Sequence, residues 1–501
     1  MYDNKSVRKI LAAFLVLSVF AATGNSKEID LNTLFREGIP ASPFAKVFYG
    51  YANAMLEHGR DNYGPQKTGL FLSALDRKTL SPFKDHPKAP AGIREGNSPG
   101  EPGHPLFGAN PQLDQNLLRL LYFLKGLSGE DRYPQVADDA LKRFLENTQS
   151  PNTGLLPWGE HLCWNVMTAK AASGHREPVH EFARPWLLWE KCFELAPEAS
   201  KRFAFGLWNS QIADHKTGAF NRHANFNKSS PVPGMDFARH AGFYIRTWSE
   251  AYAHTRDETF LEAIDVVLRR YEKKRHPKTG LIELKSGSPT AHSVLSLSLA
   301  IDCDGAARKV PELLRTRLTN FAAQKDEIFC SLPHDLKHKK GFATGFDLAT
   351  GKSDGSYTSL WDAKYGAYTT AAVAVMCVSR YENTGRVGYR RLITATADAY
   401  MDSLPGNDTD AWPITFGHAI CAEQAAYRAT AQEKYYKRAF NLGEIAIEKF
   451  FGDSPLPRAS LKSDHYESTT GADTLVLALA ELHLSTLHIT AVRAPVNTID
   501  R

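Results

Sequence analysis

The sequence predicts an all-α protein, an (α/α) toroid or barrel of six to seven helical hairpins. Three observations carry that expectation. A Thr-Gly turn recurs after helix-like segments at a spacing near 60 residues. The segments between the turns carry apolar residues at the helical period, and long Val/Ile/Thr alternations, the mark of a major sheet, are scarce.

The turns come first. Thr153-Gly154-Leu155, Thr217-Gly218-Ala219 and Thr279-Gly280-Leu281 each follow a helical run, and their glycines stand 64 and 62 residues apart. An earlier copy is Thr68-Gly69-Leu70. A period of this length suits two helices and two loops per unit. Phe260, Leu261, Ile264, Val267, Leu268 and Tyr271 form one apolar helical face, with Thr255 or Asp257 to cap its start and Gly280 beyond its end. Residues 371–381, 391–404, 419–430 and 474–487 read as further helices. Residues 81–111, rich in Pro and Gly, read as an extended loop.

The first residues follow another logic. Lys5, Arg8 and Lys9 precede the apolar stretch Ile10–Ala22, and small and polar residues follow. This is the pattern of a secretory signal peptide over residues 1–24, too short for a comfortable membrane span. The expectation is a secreted or periplasmic chain whose residues 25–501 form a single toroid catalytic domain. Cys163, Cys192, Cys303, Cys330, Cys377 and Cys421 form no CxxC pair, so zinc ribbons are excluded and buried free thiols are expected.

Of the 501 residues, 43% are hydrophobic and 23% charged, the balance of a globular chain; 60 Lys and Arg against 55 Asp and Glu give a formal net charge of +5. No basic stripe exists for nucleic acid, but a modest positive field favours an anionic substrate. The loops are rich in polar and aromatic residues together: Trp158, Glu160, His161, Trp164 and Asn165; His180 and Glu181 ahead of Trp186 and Trp189; Asn221, Arg222, His223, Asn225 and Phe226; then Asp236, Arg239, His240 and Tyr244. Rings that stack and side chains that hydrogen-bond suit a carbohydrate. On a helix, His240 and Tyr244 share one face, and a guanidinium such as Arg239 can bind a carboxylate bidentately.

With these residues the chain resembles the (α/α)-toroid polysaccharide lyases, particularly alginate and glucuronan lyases. The resemblance implies β-elimination on an anionic uronate polymer. Tyr244 would transfer protons and Arg239 would neutralise the carboxylate, supported by His180 and His240. Asn165, His161, His223, Asn225, Trp164 and Tyr357 would bind substrate. It implies no cofactor and no metal, because Arg, His and Asn offset the carboxylate charge. The expected partner is an anionic polysaccharide, with no nucleic acid and no membrane, and the chain acts as a monomer or weak oligomer.

Two other readings use the same residues. A toroid glycoside hydrolase, including an unsaturated glucuronyl hydrolase, needs two carboxylates, for which Glu160, Glu181 and Asp236 are candidates. A non-catalytic glycan-binding protein would use the aromatics alone. Ser356, Tyr357, Trp361, Tyr365 and Tyr368 offer a sugar platform or core rings, residues 57–63 a cleft lining or a helix end, and His292 and His418 stand beside helical starts.

Overall fold

Helices alternate strictly between an outer and an inner ring. The computed structural model describes residues 42–93, 106–229 and 231–487; the expected signal peptide lies outside them. In chain order the α-helices are α1 (Pro43–Glu57), α2 (Gln115–Ser128), α3 (Arg132–Thr148), α4 (Trp189–Leu195), α5 (Pro197–Gln211), α6 (Ala238–Thr255) and α7 (Thr259–Lys273). After these come α8 (Ser293–Ala307), α9 (Glu312–Ser331), α10 (Thr370–Thr384), α11 (Val387–Tyr400), α12 (Pro413–Thr430), α13 (Glu433–Ala446) and α14 (Ala472–Thr486). Even-numbered helices line the inside and odd-numbered ones the outside. Helices α6, α8, α10, α12 and α14 pack in succession, α4 meets α6, and α14 meets both α2 and α1, so the last inner helix pairs with the first outer one and closes the ring. That makes seven helix pairs among the described residues.

Hydropathy sorts the two rings. Outer α7 buries Phe260, Ile264, Val267, Leu268 and Tyr271 on one face, as its period predicts. The last inner helix is covered all round: every residue of α14 from Ala472 to Leu484 is buried. The helices expected at 371–381, 391–404, 419–430 and 474–487 are α10, α11, α12 and α14, with boundaries moved by a few residues. The largest move is the start of α12, which begins at Pro413 and not at 419; α11 shifts as a whole, beginning at Val387 after the left-handed Gly385 and ending before the 401–412 loop.

The two ends of the toroid differ. Inner helices pass to outer ones through short links, several with a left-handed residue: Gly129, Arg256, Gly385 and Ala431. Outer helices return to inner ones through long loops, and most of these open on the Thr-Gly turn. Gly69, Gly154, Gly218 and Gly280 all have φ between 67° and 74°, which explains the glycine. The threonine hydroxyl ties the turn down: Thr153 donates to the Phe226 carbonyl at 2.6 Å and Thr279 to that of Leu348 at 2.8 Å. All the long loops therefore gather at one end. They hold the short strands, among them 162–165 paired with 170–173 and with 108–109, and 179–180 paired with 224–225. No helix among the described residues is long and apolar enough to cross a membrane.

All six thiols are free, five buried and Cys330 half-buried. Cys163 lies in the strand Leu162–Asn165, not in a helix. Buried imidazoles make the fold acid-sensitive. Burial holds His180 at about 3 and His292, His334 and His483 at about 4. A depressed histidine contributes stability that is full above the unfolded value near 6.5 and is lost as pH falls toward the folded value. Glu423 acts in the opposite sense: burial lifts it to about 9, so its contribution fades as pH rises above about 4.5. Denaturant unfolding is expected to show a midpoint that falls steadily from about pH 6.5 to pH 4. A flat midpoint across that window would mean these histidines are protonated in the native protein.

Candidate active site

A single buried carboxylate organises the loop end. Glu181 has no exposed surface. His161 Nε2 lies 3.0 Å and His223 Nε2 2.8 Å from its Oε2. His240 Nε2 lies 3.0 Å from Oε1, and the Arg222 guanidinium is ion-paired with that same oxygen. Glu160 stands next to this cluster, 3.7 Å from His161, 4.0 Å from Arg222 and 3.9 Å from Arg239.

Backbone pairing builds the cluster from three loops. The strand 179–180 runs antiparallel to 224–225, with His180 opposite Ala224, which sets Glu181 beside Arg222 and His223. Gly159 bridges Glu181 in parallel, and the Glu160 amide donates to the Glu181 carbonyl at 3.0 Å. Gly159 has φ 96° and meets the Glu181 carbonyl so closely that no Cβ fits. Helix α6 then brings Arg239 and His240 in on its first turn. Burial, with Arg239, Arg222 and His223 nearby, depresses His240 well below the usual histidine range. It is therefore a neutral ring beside the Glu181 carboxylate.

Beside the cluster a cavity of about 140 Å³ opens, lined among others by Glu160, Arg184, Arg239, Tyr365, Tyr368 and His418. Burial opposes the charge on Arg239, but Tyr368 and Glu160 alongside more than restore it. The Arg239 side chain is 14% exposed, enough to meet a ligand.

The sequence-expected residues divide accordingly. Arg239 lines the cavity, and His161, His223 and His240 hold Glu181. Two expected catalytic residues lie inside the core. Tyr244 is fully buried among Phe182, Phe220 and Trp248, its phenol raised by burial and its hydroxyl without a hydrogen-bond partner. It shares a face with His240 as the spacing requires, but that face points into the core. His180 is also buried, accepts the Trp158 indole N–H at 3.2 Å and packs on Phe182 and Phe203. A neutral core imidazole cannot neutralise a substrate. Tyr244→Phe is therefore expected to leave turnover within about twofold of wild type, and stability unchanged or slightly raised, since an unsatisfied buried hydroxyl costs about 1–3 kcal/mol. A hundredfold fall in kcat of the folded variant would return Tyr244 to the chemistry.

Several expected substrate binders have structural partners. Asn165 accepts from the Met167 and Thr168 amides in a hairpin turn, and Asn225 donates to Glu177 at 2.6 Å. Trp164 is half-buried in the strand 162–165, and Tyr357 packs beside a small cluster of Leu281, Ala291, Ala343 and Phe346. Trp158, Trp186 and Trp189 form the core beneath His180. Asp236 is held by Lys274 and Arg270, which outweigh its burial and keep it at about 2. The sequence reading passed over Arg184, Lys364 and Trp412 because each comes from a different loop.

His161, Glu181 and His223 also point ligand atoms to within 4.8 Å of one another. Two imidazoles and a carboxylate are a donor set for a divalent ion of the first transition row or zinc. Both imidazole Nε2 atoms address one carboxylate oxygen, a geometry that fits a cation.

A family model described as periplasmic pectate lyase matches residues 100–291, the stretch that supplies the whole Glu181 cluster. Over 176 residues the chain is 26% identical to a pectate disaccharide-lyase of Dickeya dadantii (strain 3937), covering 35% of this chain and 32% of that protein. The match thus spans about a third of the relative's length. Among solved structures, a D-mannose isomerase superposes with a TM-score of 0.50 at 11% identity, covering 89% of this chain and 99% of the other. That likeness extends the toroid fold over nearly the whole chain.

Proposed function

We propose that this chain is a polysaccharide lyase that cleaves a pectate-type polyuronate by β-elimination. The observation that carries the reading is Arg239 on the cavity wall, joined through Glu160 to the Arg222 and imidazole cluster around Glu181, inside the stretch similar to pectate lyases. A proton α to a carboxylate is removable only when the carboxylate charge is offset, because the intermediate otherwise carries two negative charges. Arg239 takes the carboxylate of the reacting sugar. Tyr368, which lines the cavity and stands beside Arg239, takes the proton-handling role expected of Tyr244. The C5–H bond breaks, its electrons form the C4–C5 double bond, and O4 leaves with a proton. A hydrolase is less well supported, since Glu181 is fully buried against Arg222 and three imidazoles and Asp236 is held by two cations.

His161, Glu181 and His223 are the residues that would hold a divalent cation, which when bound supplies a Lewis acid for a carboxylate oxygen. The test is absorbance of an unsaturated uronide formed from polygalacturonate, alginate or glucuronan; only a lyase creates that double bond. Polygalacturonate is the expected best substrate, and release of reducing ends without the chromophore would mean hydrolysis. Chelation is expected to lower activity at least tenfold, with recovery on adding manganese, cobalt or zinc, and the added ion should raise the thermal midpoint. Full activity after chelation, with no midpoint shift on adding ion, would leave the cluster a metal-free electrostatic role.

A further inference from the structure

The chain that follows α7 carries a surface outside the cavity that the elimination step does not use. It folds into short paired segments: Arg275 bridges Ile282, Glu283 bridges Ala291, residues 290–292 run antiparallel to 345–347, and Phe346 bridges Ser353. The turn at Thr279 and Gly280 is fastened to the turn 347–352 by the Thr279 hydroxyl, which donates to Leu348. One edge of this meander reaches the cavity, where the His292 ring stands 6.4 Å from that of Tyr368. The meander is also tied to the start of α6, because the Ser286 amide donates to Asp236 at 2.9 Å.

The turns of the meander and the last residue of α7 are basic. Lys273, Arg275, Lys278, Lys285 and Lys352 are all exposed. The acids interspersed with them are engaged elsewhere. Glu272 pairs with Arg317 at 2.8 Å and Glu283 with Lys274 at 3.1 Å, and Asp236 is held by Lys274 and Arg270. Asp347 and Asp354 close their own turns, accepting from the Thr350 and Ser356 amides, both at 2.8 Å. Arg275 donates to the neutral Gln324, and none of the five cations is in an ion pair among the described residues. Like charges held on one face repel each other, and a polyanion laid across them relieves that repulsion.

We propose that Lys273, Arg275, Lys278, Lys285 and Lys352 form an exosite that holds a stretch of anionic polysaccharide remote from the cavity. A polyuronate suits it, because every sugar brings a carboxylate and several weak contacts add along one strand. The kinetic consequence rests on the lyase reading; the binding surface does not. A chain long enough to reach both places is attached twice, so its reacting segment returns to the cavity as an intramolecular event. The enzyme therefore favours long chains over short oligomers through KM and not kcat, since the exosite touches no reacting atom.

Steady-state kinetics on long polygalacturonate and on trigalacturonate test this. The triple variant Lys278→Glu, Lys285→Glu, Lys352→Glu changes only exposed turn side chains. It is expected to raise KM for the polymer about tenfold more than KM for the trimer. Raised salt should shrink the wild-type preference for the polymer and leave that of the variant nearly flat. Lys142→Glu, Arg143→Glu, Lys437→Glu makes the same change in net charge on exposed positions of α3 and α13. A matching effect in that control, or equal shifts on polymer and trimer, overturns the proposal. If the first triple variant fails to fold, Lys278→Gln with Lys352→Gln is read in the same way. If wild type forms no unsaturated product from any polyuronate, the lyase reading fails separately. Calorimetric binding of polygalacturonate at low salt then decides the exosite: weaker binding by the triple variant supports it, and equal binding or no binding removes it.

Discussion

Glu181→Gln is expected to be the most damaging single substitution in this protein. The change is nearly isosteric, so no cavity forms, but it removes the one charge that Arg222, His161, His223 and His240 converge on. Breaking a buried ion pair from one side, here that of Arg222, typically costs about 3–5 kcal/mol, and Glu160 at 4.0 Å offsets part of it. A lower denaturant midpoint, a fall in activity of at least about a hundredfold, and loss of any stabilisation by added divalent ions should appear together. The opposite result, wild-type stability with normal turnover, would show that the cluster neither holds the loops together nor serves the substrate.

The second large effect is expected at Arg239. Arg239→Lys keeps the charge and loses the planar fork, so both kcat and KM should worsen, with kcat/KM down about 10²–10³-fold. Its stability should change little, because the side chain is partly open to the cavity and 3.9 Å from its acidic partner. Tyr368→Phe is the companion measurement. Loss of a proton-transfer group lowers kcat about 10²–10⁴-fold and leaves KM nearly alone. An Arg239→Lys enzyme with unaltered kcat/KM would move carboxylate binding to Arg222, and a fully active Tyr368→Phe would remove that phenol from the proton step.

Much of the fold was legible in the chain because it is local. The 3.6 period of α7 and the left-handed glycines of the Thr-Gly turns are properties of short segments, and repetition of the unit implied stacked hairpins. Histidine and arginine at Arg222, His223, Arg239 and His240 also stood out as a density of polar side chains. What a linear reading misjudged was direction. Tyr244 and His180 lie on apolar faces completed by residues from elsewhere in the chain, Phe220 for Tyr244 and Phe203 for His180, so the aromatic density that suggested a sugar platform is largely core.

The sequence by itself determined the helices, their apolar faces, the repeat and the mild positive charge, because each depends on neighbours within a turn or two. Only the tertiary structure decided that Glu181 is the hub. Its partners lie 20 residues before it at His161 and 59 after it at His240, and they meet through a two-residue strand pair and the close approach of Gly159. The cavity wall is more dispersed still: Arg184, Tyr365 and Trp412 share no period and no motif. They become neighbours because every outer-to-inner loop emerges at the same end of a closed ring, a consequence of packing that no local interaction encodes.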